Sequence, residues 1–212
     1  MKAQDLVSRL AAGLLLIGSA PVLGFCAICI FLEDGRPVLF RQFRIGRSGR
    51  SFQILKLRTM RRAVGNRKIT ADGDSRITKA GRLMRRYKID ELPQLWNVMC
   101  GEMNFIGPRP EVPEFVDASD GRWKTVLSVR PGITDLASLA FRNEEILLSQ
   151  QPDVERFYRN WLLPKKLDMS AHYIRTRCFT TDVKLLALTI QHSLVPQQYE
   201  PTRIARQFRY RG

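Results

Sequence analysis

Histidine and cysteine are scarce in this chain of 212 residues, which contains two histidines and four cysteines. His172 and His192 have no partner at metal-ligand spacing, and Cys26 and Cys29 lie in an apolar run without a second ligand pair. We therefore predict no zinc or redox site here and interpret these two cysteines as small hydrophobic side chains. Since nothing requires disulfides, the chain suits a reducing cytosol.

Motifs of several large protein classes are also missing. There is no Walker or dinucleotide glycine motif, no zinc-finger spacing and no aromatic RNA-binding motif. The 35 Lys and Arg residues nevertheless outnumber the 20 Asp and Glu residues, for a formal net charge of +15. Such a charge attracts anionic partners. A membrane-anchored nucleic-acid-binding protein is the rival to an enzyme of phosphorylated substrates, but the missing motifs and an apolar anchor predict no nucleic-acid partner.

The apolar anchor is the charge-free run at residues 10–32. A hydrocarbon core needs about 20 residues to cross, so this run is long enough. A cleaved signal peptide is the alternative, with Lys2 and Arg9 as its basic region. However, the run exceeds the usual apolar region of about 7–15 residues, and no clear cleavage site follows it.

Pro21 in the middle of this run predicts a kink, because proline removes a helical hydrogen bond. Ser19 is placed to satisfy a freed carbonyl. A kinked span and a helix that enters and leaves on the same face both remain open. Positive flanks favour the cytoplasm, and both flanks are basic, which favours a re-entrant helix over residues 1–34. The flanking cations are Lys2, Arg9, Arg36, Arg41, Arg44, Arg47 and Arg50.

The remaining sequence predicts a compact, mostly helical α+β domain over residues 35–200. Two extended runs around a turn at Gly46–Gly49 predict a β-hairpin. Residues 61–76 read as a loop, and Thr78 can cap a helix over Lys79–Lys88. Apolar periodicity predicts further helices over Glu144–Leu163 and Asp182–Val195. A basic tail, residues 201–212, carries Arg203, Arg206, Arg209 and Arg211.

Amphipathic interfacial helices are expected in the C-terminal half. Trp161 lies just before Lys165 and Lys166, and such an aromatic and basic edge suits a membrane interface. Packing of the same residues against the core is an equally good interpretation. The basic tail is expected to contact anionic lipid.

The adjacent acids Asp90 and Glu91 are the candidate catalytic residues. Pro93 disfavours helix at Leu92 and suits the first turn of a new helix, so both acids should fall at a helix start. Acids at such positions are often ordinary caps. Here the surrounding cations predict that both stay ionised, in a field that attracts a phosphorylated substrate.

Three arginines precede this acidic pair at helical spacing: Arg82, Arg85 and Arg86. Residues three and four apart share a helix face. A solvated basic face is the ordinary interpretation, whereas a phosphate-binding face follows if they lie close to Asp90.

Four ordered blocks carry a family resemblance. They lie at residues 35–60, 76–86, 88–111 and 129–134, the third of which reads KIDELPQLWNVMCGEMNFIGPRPE. With these blocks the chain resembles the monotopic phosphoglycosyl transferases, which are bacterial sugar transferases, in their minimal catalytic form.

The resemblance implies transfer of a phosphosugar from a UDP-sugar to a membrane polyprenol phosphate, with release of UMP. Asp90 matches the family's nucleophile, which forms a covalent phosphosugar intermediate, as expected of a carboxylate nucleophile. Glu91 matches the second acid, with a role at the metal or in proton handling. Mg²⁺ is expected on the pyrophosphate, held by Asp90 and Glu91.

The expected substrate-binding residues are Lys56, Arg85, Arg109, Arg142 and Asn143. The turn at Gly107–Pro110 resembles the family's rigid turn near the nucleotide. Between Asp135 and Phe141 the chain departs from the family pattern, so no sugar preference is carried over. The family's adjacent Ser-Pro pair is interrupted here, since Ala20 separates Ser19 from Pro21.

The expected location is the cytoplasmic face of a bacterial inner membrane. The expected partners are a UDP-sugar, polyprenol phosphate and membrane lipids. The sequence names neither the sugar nor the glycan that is built, and it leaves a homo-oligomer open.

Overall fold

The computed structural model of the chain describes residues 3–61, 69–196, 204, 206–208 and 210. This part is mostly helical with two small sheets, as predicted. The helices are α1 Ala3–Asp34, α2 Lys79–Arg86, α3 Gln94–Cys100, α4 Gly121–Val126, α5 Leu136–Ala140, α6 Glu144–Ser149, α7 Val154–Phe157, α8 Leu163–Thr176 and α9 Phe179–Leu194. The strands are β1 Leu39–Ile45, β2 Ser51–Leu57, β3 Asn104–Ile106 and β4 Gly132–Thr134.

Some predictions concern residues outside this part. Lys2 in the N-terminal flank and Arg203, Arg209 and Arg211 in the tail lie outside the described residues. The prediction of a lipid-binding tail and the domain limits at residues 34 and 200 therefore stay predictions.

The predicted hairpin is confirmed. β1 pairs antiparallel with β2, from Leu39 opposite Leu57 to Ile45 opposite Ser51. The turn between them contains one 3₁₀ turn, Arg47–Gly49. β2 carries Lys56, one of the predicted substrate-binding residues.

The second sheet was not predicted. β3 and β4 pair in parallel, with Asn104 opposite Gly132 and Ile106 opposite Thr134. The backbones of the two segments approach so closely that a Cβ at Gly132 would lie 2.1 Å from the Gly107 nitrogen. Only glycine permits this approach. The contact fixes the turn at Gly107–Pro110, which the Pro108 carbonyl closes by accepting a hydrogen bond from Gly132 N at 3.0 Å.

Helix α2 begins as predicted, because the Thr78 side chain accepts a hydrogen bond from Gly81 N at 2.9 Å. Gly81 is needed there, since a Cβ would lie 2.2 Å from the Thr59 carbonyl oxygen. The helix ends at Arg86, two residues before the predicted end. Lys88 stops it by adopting a left-handed conformation with φ of 58°.

The prediction of one helix over Glu144–Leu163 is wrong. α6 ends at Ser149, and α7 begins after Pro152, which cannot continue the helix, with Asp153 as its cap. A π-helical segment at residues 158–162 then leads into α8. The final predicted helix is confirmed as α9, which begins three residues before the expected Asp182.

The largest apolar core lies among these C-terminal helices. Trp123, Leu136, Leu162 and Leu185 are each at most 3% exposed within it. The core leaves one flank of α9 uncovered, on which Phe179, Val183, Ile190 and Leu194 are at least half exposed.

Helix α1 packs along the domain in two places. Near its start, Ala12 lies in a cluster with Leu95 and Val98 of α3. Near its end, Cys26 lies in another cluster with Met84 of α2. Cys26 is thus an apolar packing residue, as we interpreted it.

Both ends of α1 are also bound to the same domain by charged groups. Near the start, Asp5 pairs with Arg130 at 2.9 Å. Near the end, the Glu33 carboxylate accepts hydrogen bonds from the backbone nitrogens of Lys79 and Ala80 at 2.7 and 2.9 Å. By length and composition, residues 5–34 of this helix could cross a membrane.

Pro21 lies inside α1. Ser19 Oγ donates to the Leu16 carbonyl at 3.0 Å. The carbonyl that Pro21 deprives of its helical donor is that of Ile17. Ser19 therefore serves the neighbouring carbonyl, rather than the freed one as predicted.

Candidate active site

Asp90 and Glu91 lie on a single 3₁₀ turn directly before α3. Leu92 has right-handed backbone angles, with φ of −55° and ψ of −35°, but it lies between the 3₁₀ turn and α3 and belongs to neither, in agreement with the prediction that Pro93 disfavours helix there. A hydrogen bond from Leu92 N to the Ile89 carbonyl at 3.1 Å stabilises that conformation. The acids therefore lie just before the start of α3, as predicted.

Glu91 is held by two cations. Its Oε1 accepts from Lys56 Nζ at 3.0 Å and from Arg109 Nη2 at 2.6 Å, and its Oε2 accepts from Arg109 Nη1 at 3.2 Å. Burial alone would raise the pKa of Glu91, but Arg109 and Lys56 hold that pKa well below its ordinary value. Glu91 is therefore a buried, ionised and firmly positioned carboxylate.

Asp90 differs from Glu91 in its hydrogen bonding and in the direction in which its pKa is shifted. It is 5% exposed, and its Oδ1 is buried without a hydrogen-bond partner among the described residues. Burial and the adjacent Glu91 raise the pKa of Asp90, against the opposing effect of Lys56, Lys88 and Arg85. Our prediction that the basic surroundings keep both acids ionised overlooked this burial, which opposes the effect of the cations on Asp90.

Lys56 and Arg109 reach the acids from two separate elements. Lys56 projects from β2, and burial lowers its pKa to about 8 even though Glu91 opposes that change. Arg109 comes from the turn at Gly107–Pro110, and the charge of Glu91 raises its pKa. The hairpin and the proline-rich turn thus converge on the acidic pair.

Arg85 lies near Asp90 but is already engaged. Its guanidinium donates to Thr59 Oγ1 at 3.4 Å and pairs with Glu145 at the start of α6. Arg82 and Arg86, which share its helix face by spacing, are exposed. Of the three arginines predicted to form a basic face, Arg85 is the one near enough to Asp90 to oppose the rise in its pKa that burial causes.

Arg142 and Asn143 lie at the beginning of α6. Arg142 Nη2 donates to the Arg86 carbonyl at 3.2 Å, at the end of α2, and Asn143 is the residue directly before α6. Their predicted role in substrate binding stays a prediction.

A second buried network, which the sequence did not predict, lies behind Arg109. Lys166 Nζ pairs with Glu144 at 2.9 Å, and Tyr158 donates to Glu111 Oε1 at 2.5 Å. We predicted that Lys166 lies either at a membrane interface or packed against the core. It is 7% exposed, so the core interpretation holds. The only sequence signal was the position of Glu111 directly after the Gly107–Pro110 turn.

A magnesium site needs few protein ligands, since Mg²⁺ is usually bound by one or two carboxylates and substrate phosphates. The described residues contain no group of three or more His, Cys, Asp and Glu side chains that could hold a metal. Asp90 suits such a shared site, because no hydrogen bond or ion pair from the described residues occupies its carboxylate. Glu91 is less available, since Arg109 and Lys56 already occupy its carboxylate.

Comparison with known proteins finds related sequences over most of the chain. The family model for bacterial sugar transferases matches residues 2–196. The uncharacterized sugar transferase EpsL of Bacillus subtilis is 31% identical over 95% of this chain and 92% of its own length. The UDP-glucose:undecaprenyl-phosphate glucose-1-phosphate transferase of Caulobacter vibrioides is 38% identical over 85% of this chain.

A third relative carries a different sugar in its name. It is the UDP-N-acetylgalactosamine-undecaprenyl-phosphate N-acetylgalactosaminephosphotransferase of Aeromonas hydrophila, which is 40% identical over 57% of this chain. The matches span 65% of the Caulobacter protein and 30% of the Aeromonas protein.

Proposed function

Because the chain belongs to the bacterial sugar transferase family, we propose that it transfers a sugar phosphate from a UDP-sugar to a membrane polyprenol phosphate. UMP is the other product. Two relatives carry undecaprenyl phosphate in their names as a substrate of the transfer, which supports a polyprenol phosphate acceptor.

The proposed nucleophile is Asp90. A carboxylate oxygen of Asp90 bonds to the phosphorus that bears the sugar, and the bond from that phosphorus to the oxygen shared with UMP breaks. UMP leaves with the electron pair. A phosphate oxygen of the lipid then bonds to the same phosphorus and displaces Asp90. Two easier displacements thus replace one direct transfer between two anions.

The observation that carries this assignment is the contrast between the two acids. Glu91 has both oxygens occupied by Arg109 and Lys56, whereas Asp90 Oδ1 has no partner among the described residues. Only Asp90 therefore has a carboxylate available for new bonds. Glu91 is better suited to fixing Lys56 and Arg109 beside the reacting phosphate.

Cations around Asp90 suit a substrate with two phosphates. Lys56, Lys88 and Arg85 all act electrostatically on Asp90. Such groups stabilise the charge that develops on phosphoryl oxygens during transfer. Mg²⁺, held by Asp90 together with the pyrophosphate of the donor, would neutralise further oxygen charge.

The membrane arrangement supports a lipid acceptor. We propose that α1 is re-entrant, because Asp5 near its start and Glu33 near its end both bind the same domain. Residues near the middle of α1, such as Ile17 at 73% exposed, would then lie deepest in the bilayer. The exposed apolar flank of α9 would lie in the interface. The basic flanks favour the cytoplasmic face.

We propose no particular sugar for this chain. Relatives of similar identity are named for glucose and for N-acetylgalactosamine. The departure from the family pattern after Thr134 adds a second reason not to copy a sugar from either relative.

The test is UMP release by purified protein in detergent, with Mg²⁺, undecaprenyl phosphate and a panel of UDP-sugars. We expect release with at least one sugar, dependent on the lipid for multiple turnovers, and abolished by Asp90→Asn. Ser149→Ala, an exposed change at the end of α6, is the matched control. Absence of release with every sugar, or full activity of Asp90→Asn, would count against the proposal.

A further inference from the structure

Gln94 is a buried polar residue to which the proposed chemistry gives no role. It is 0% exposed, and neither Nε2 nor Oε1 has a hydrogen-bond partner among the described residues. Burying an amide without partners is unfavourable, and such groups in folded proteins call for an explanation. Two explanations are a bound water and a neighbouring polar group that a shift of either side chain would bring into contact with the Gln94 amide.

Asn97 shows that this helix face can satisfy an amide when the fold requires it. Asn97 lies three residues later and is 1% exposed. Its Oδ1 accepts from Leu55 N at 3.1 Å, and its Nδ2 donates to the Gln53 carbonyl and to Glu102, each at 2.7 Å. Asn97 therefore fastens α3 to β2, whereas Gln94 adds no such bond.

The position of Gln94 connects it to the reacting acid. It follows Asp90 by four residues, across Leu92 and Pro93, whose backbone angles are also right-handed, so the two residues lie about one helical turn apart along the chain. Asn97 contacts Leu55 of β2, and Glu91 contacts Lys56, the next residue of the same strand. In the sequence, Gln94 thus lies between Asn97, which anchors α3 to β2, and the acidic pair.

Asp90 has the complementary deficiency. Its Oδ1 is buried and unpartnered, one turn before an amide whose donor is also unpartnered. The two groups do not bond directly in the structure, so a shift of either side chain or one bridging water is needed to join them. Buried waters commonly join polar groups in this way.

We propose that Gln94 is a positioning residue for Asp90, with its amide donating to Asp90 Oδ1 directly or through one buried water. Oδ1 is thereby held on the inner side, and Oδ2 is presented to the phosphorus of the donor. This inference rests on the proposed function, since it assigns a role relative to the attack by Asp90.

The test uses Gln94→Met, which keeps the length of the side chain and removes both polar groups. We expect an unchanged or higher Tm, because no protein hydrogen bond is lost. We expect kcat to fall by about 10²-fold, the scale measured for loss of one well-placed donor. KM for the UDP-sugar should change little, because the amide acts through Asp90 and does not bind the donor.

Two further variants separate positioning from packing. Gln94→Glu keeps the length and the acceptor but loses the donor, so it should not restore kcat. Asn97→Leu shows the effect of removing an amide that is hydrogen-bonded within the fold. It should lower Tm, since three bonded groups lose their partner.

The inference is overturned if Gln94→Met lowers Tm as Asn97→Leu does, or if its kcat equals that of the wild type. Either result leaves the proposed function intact, because the wild-type enzyme is assayed alongside. If the wild type itself releases no UMP with any sugar, the proposed function fails and this inference fails with it.

Discussion

Removal of Arg109 should destabilise the protein, because the buried Glu91 carboxylate then loses the partner that binds both of its oxygens. Arg109 binds both oxygens of Glu91, and the Glu91 side chain is 9% exposed. Loss of one partner of a buried ion pair costs about 3–5 kcal/mol. Because Lys56 remains at 3.0 Å, we expect Arg109→Ala to lower the free energy of unfolding by about 2–4 kcal/mol.

The dependence of this loss on pH follows from the pKa of Glu91. In the wild type that pKa lies well below its ordinary value of 4.5, so the pair stabilises the fold above pH 4.5 and is lost as the pH falls through the folded pKa. In Arg109→Ala, burial is less opposed and the pKa of Glu91 rises. The difference in stability between wild type and variant should therefore shrink as the pH falls below 4.5.

Urea unfolding in detergent at several pH values measures these differences. Arg122→Ala is the matched control, since it removes an arginine that pairs with Asp120 at 2.6 Å where both side chains are at least one quarter exposed. Such a surface pair contributes about 0–1 kcal/mol. Arg109→Ala combined with Glu91→Gln should be less destabilised than the sum of the two single variants, because the unpaired charge is gone. Equal losses for Arg109→Ala and Arg122→Ala, or strict additivity, would refute the reasoning.

Three other predictions concern single residues. Arg85→Ala should lower kcat/KM by the equivalent of about 2–4 kcal/mol, measured by UMP release, with only partial rescue by lysine; near-wild-type turnover would limit Arg85 to its structural contacts with Thr59 and Glu145. Lys56→Arg should remove a basic limb near pH 8 from the profile of kcat/KM, because burial lowers the pKa of Lys56 to about 8; an unchanged limb would assign it elsewhere. Pro21→Leu should straighten α1 toward a span, so that an impermeant thiol reagent added outside intact cells labels a cysteine placed near the N-terminus of the variant but not of the parent; labelling of both would contradict a re-entrant helix.

Local features of the fold followed from the sequence because their causes are local. The hairpin depends on two extended runs and a glycine turn, and the cap of α2 depends on Thr78 and the backbone three residues later. The four sequence blocks likewise singled out Asp90 and Glu91. What these features share is that each is encoded within a short segment.

The features that were missed depend on contacts between distant segments. Glu91 meets Lys56 and Arg109 across 35 and 18 residues of chain, and its pKa follows from those contacts. The raised pKa of Asp90 follows from burial, which the surrounding basic sequence does not reveal. Lys166 resembled an interfacial cation until the packing of α8 placed it beside Glu144.

The claim that Asp90 is the nucleophile is tested most directly by intact-protein mass spectrometry after a rapid quench. The protein is mixed with Mg²⁺ and an active UDP-sugar, without lipid acceptor. We predict a protein heavier by one phosphosugar, with the added mass on the peptide that contains Asp90, and its loss when polyprenol phosphate is supplied. The adduct should be absent from Asp90→Asn. Full turnover by Asp90→Asn would contradict the covalent mechanism and would indicate direct attack by the lipid phosphate.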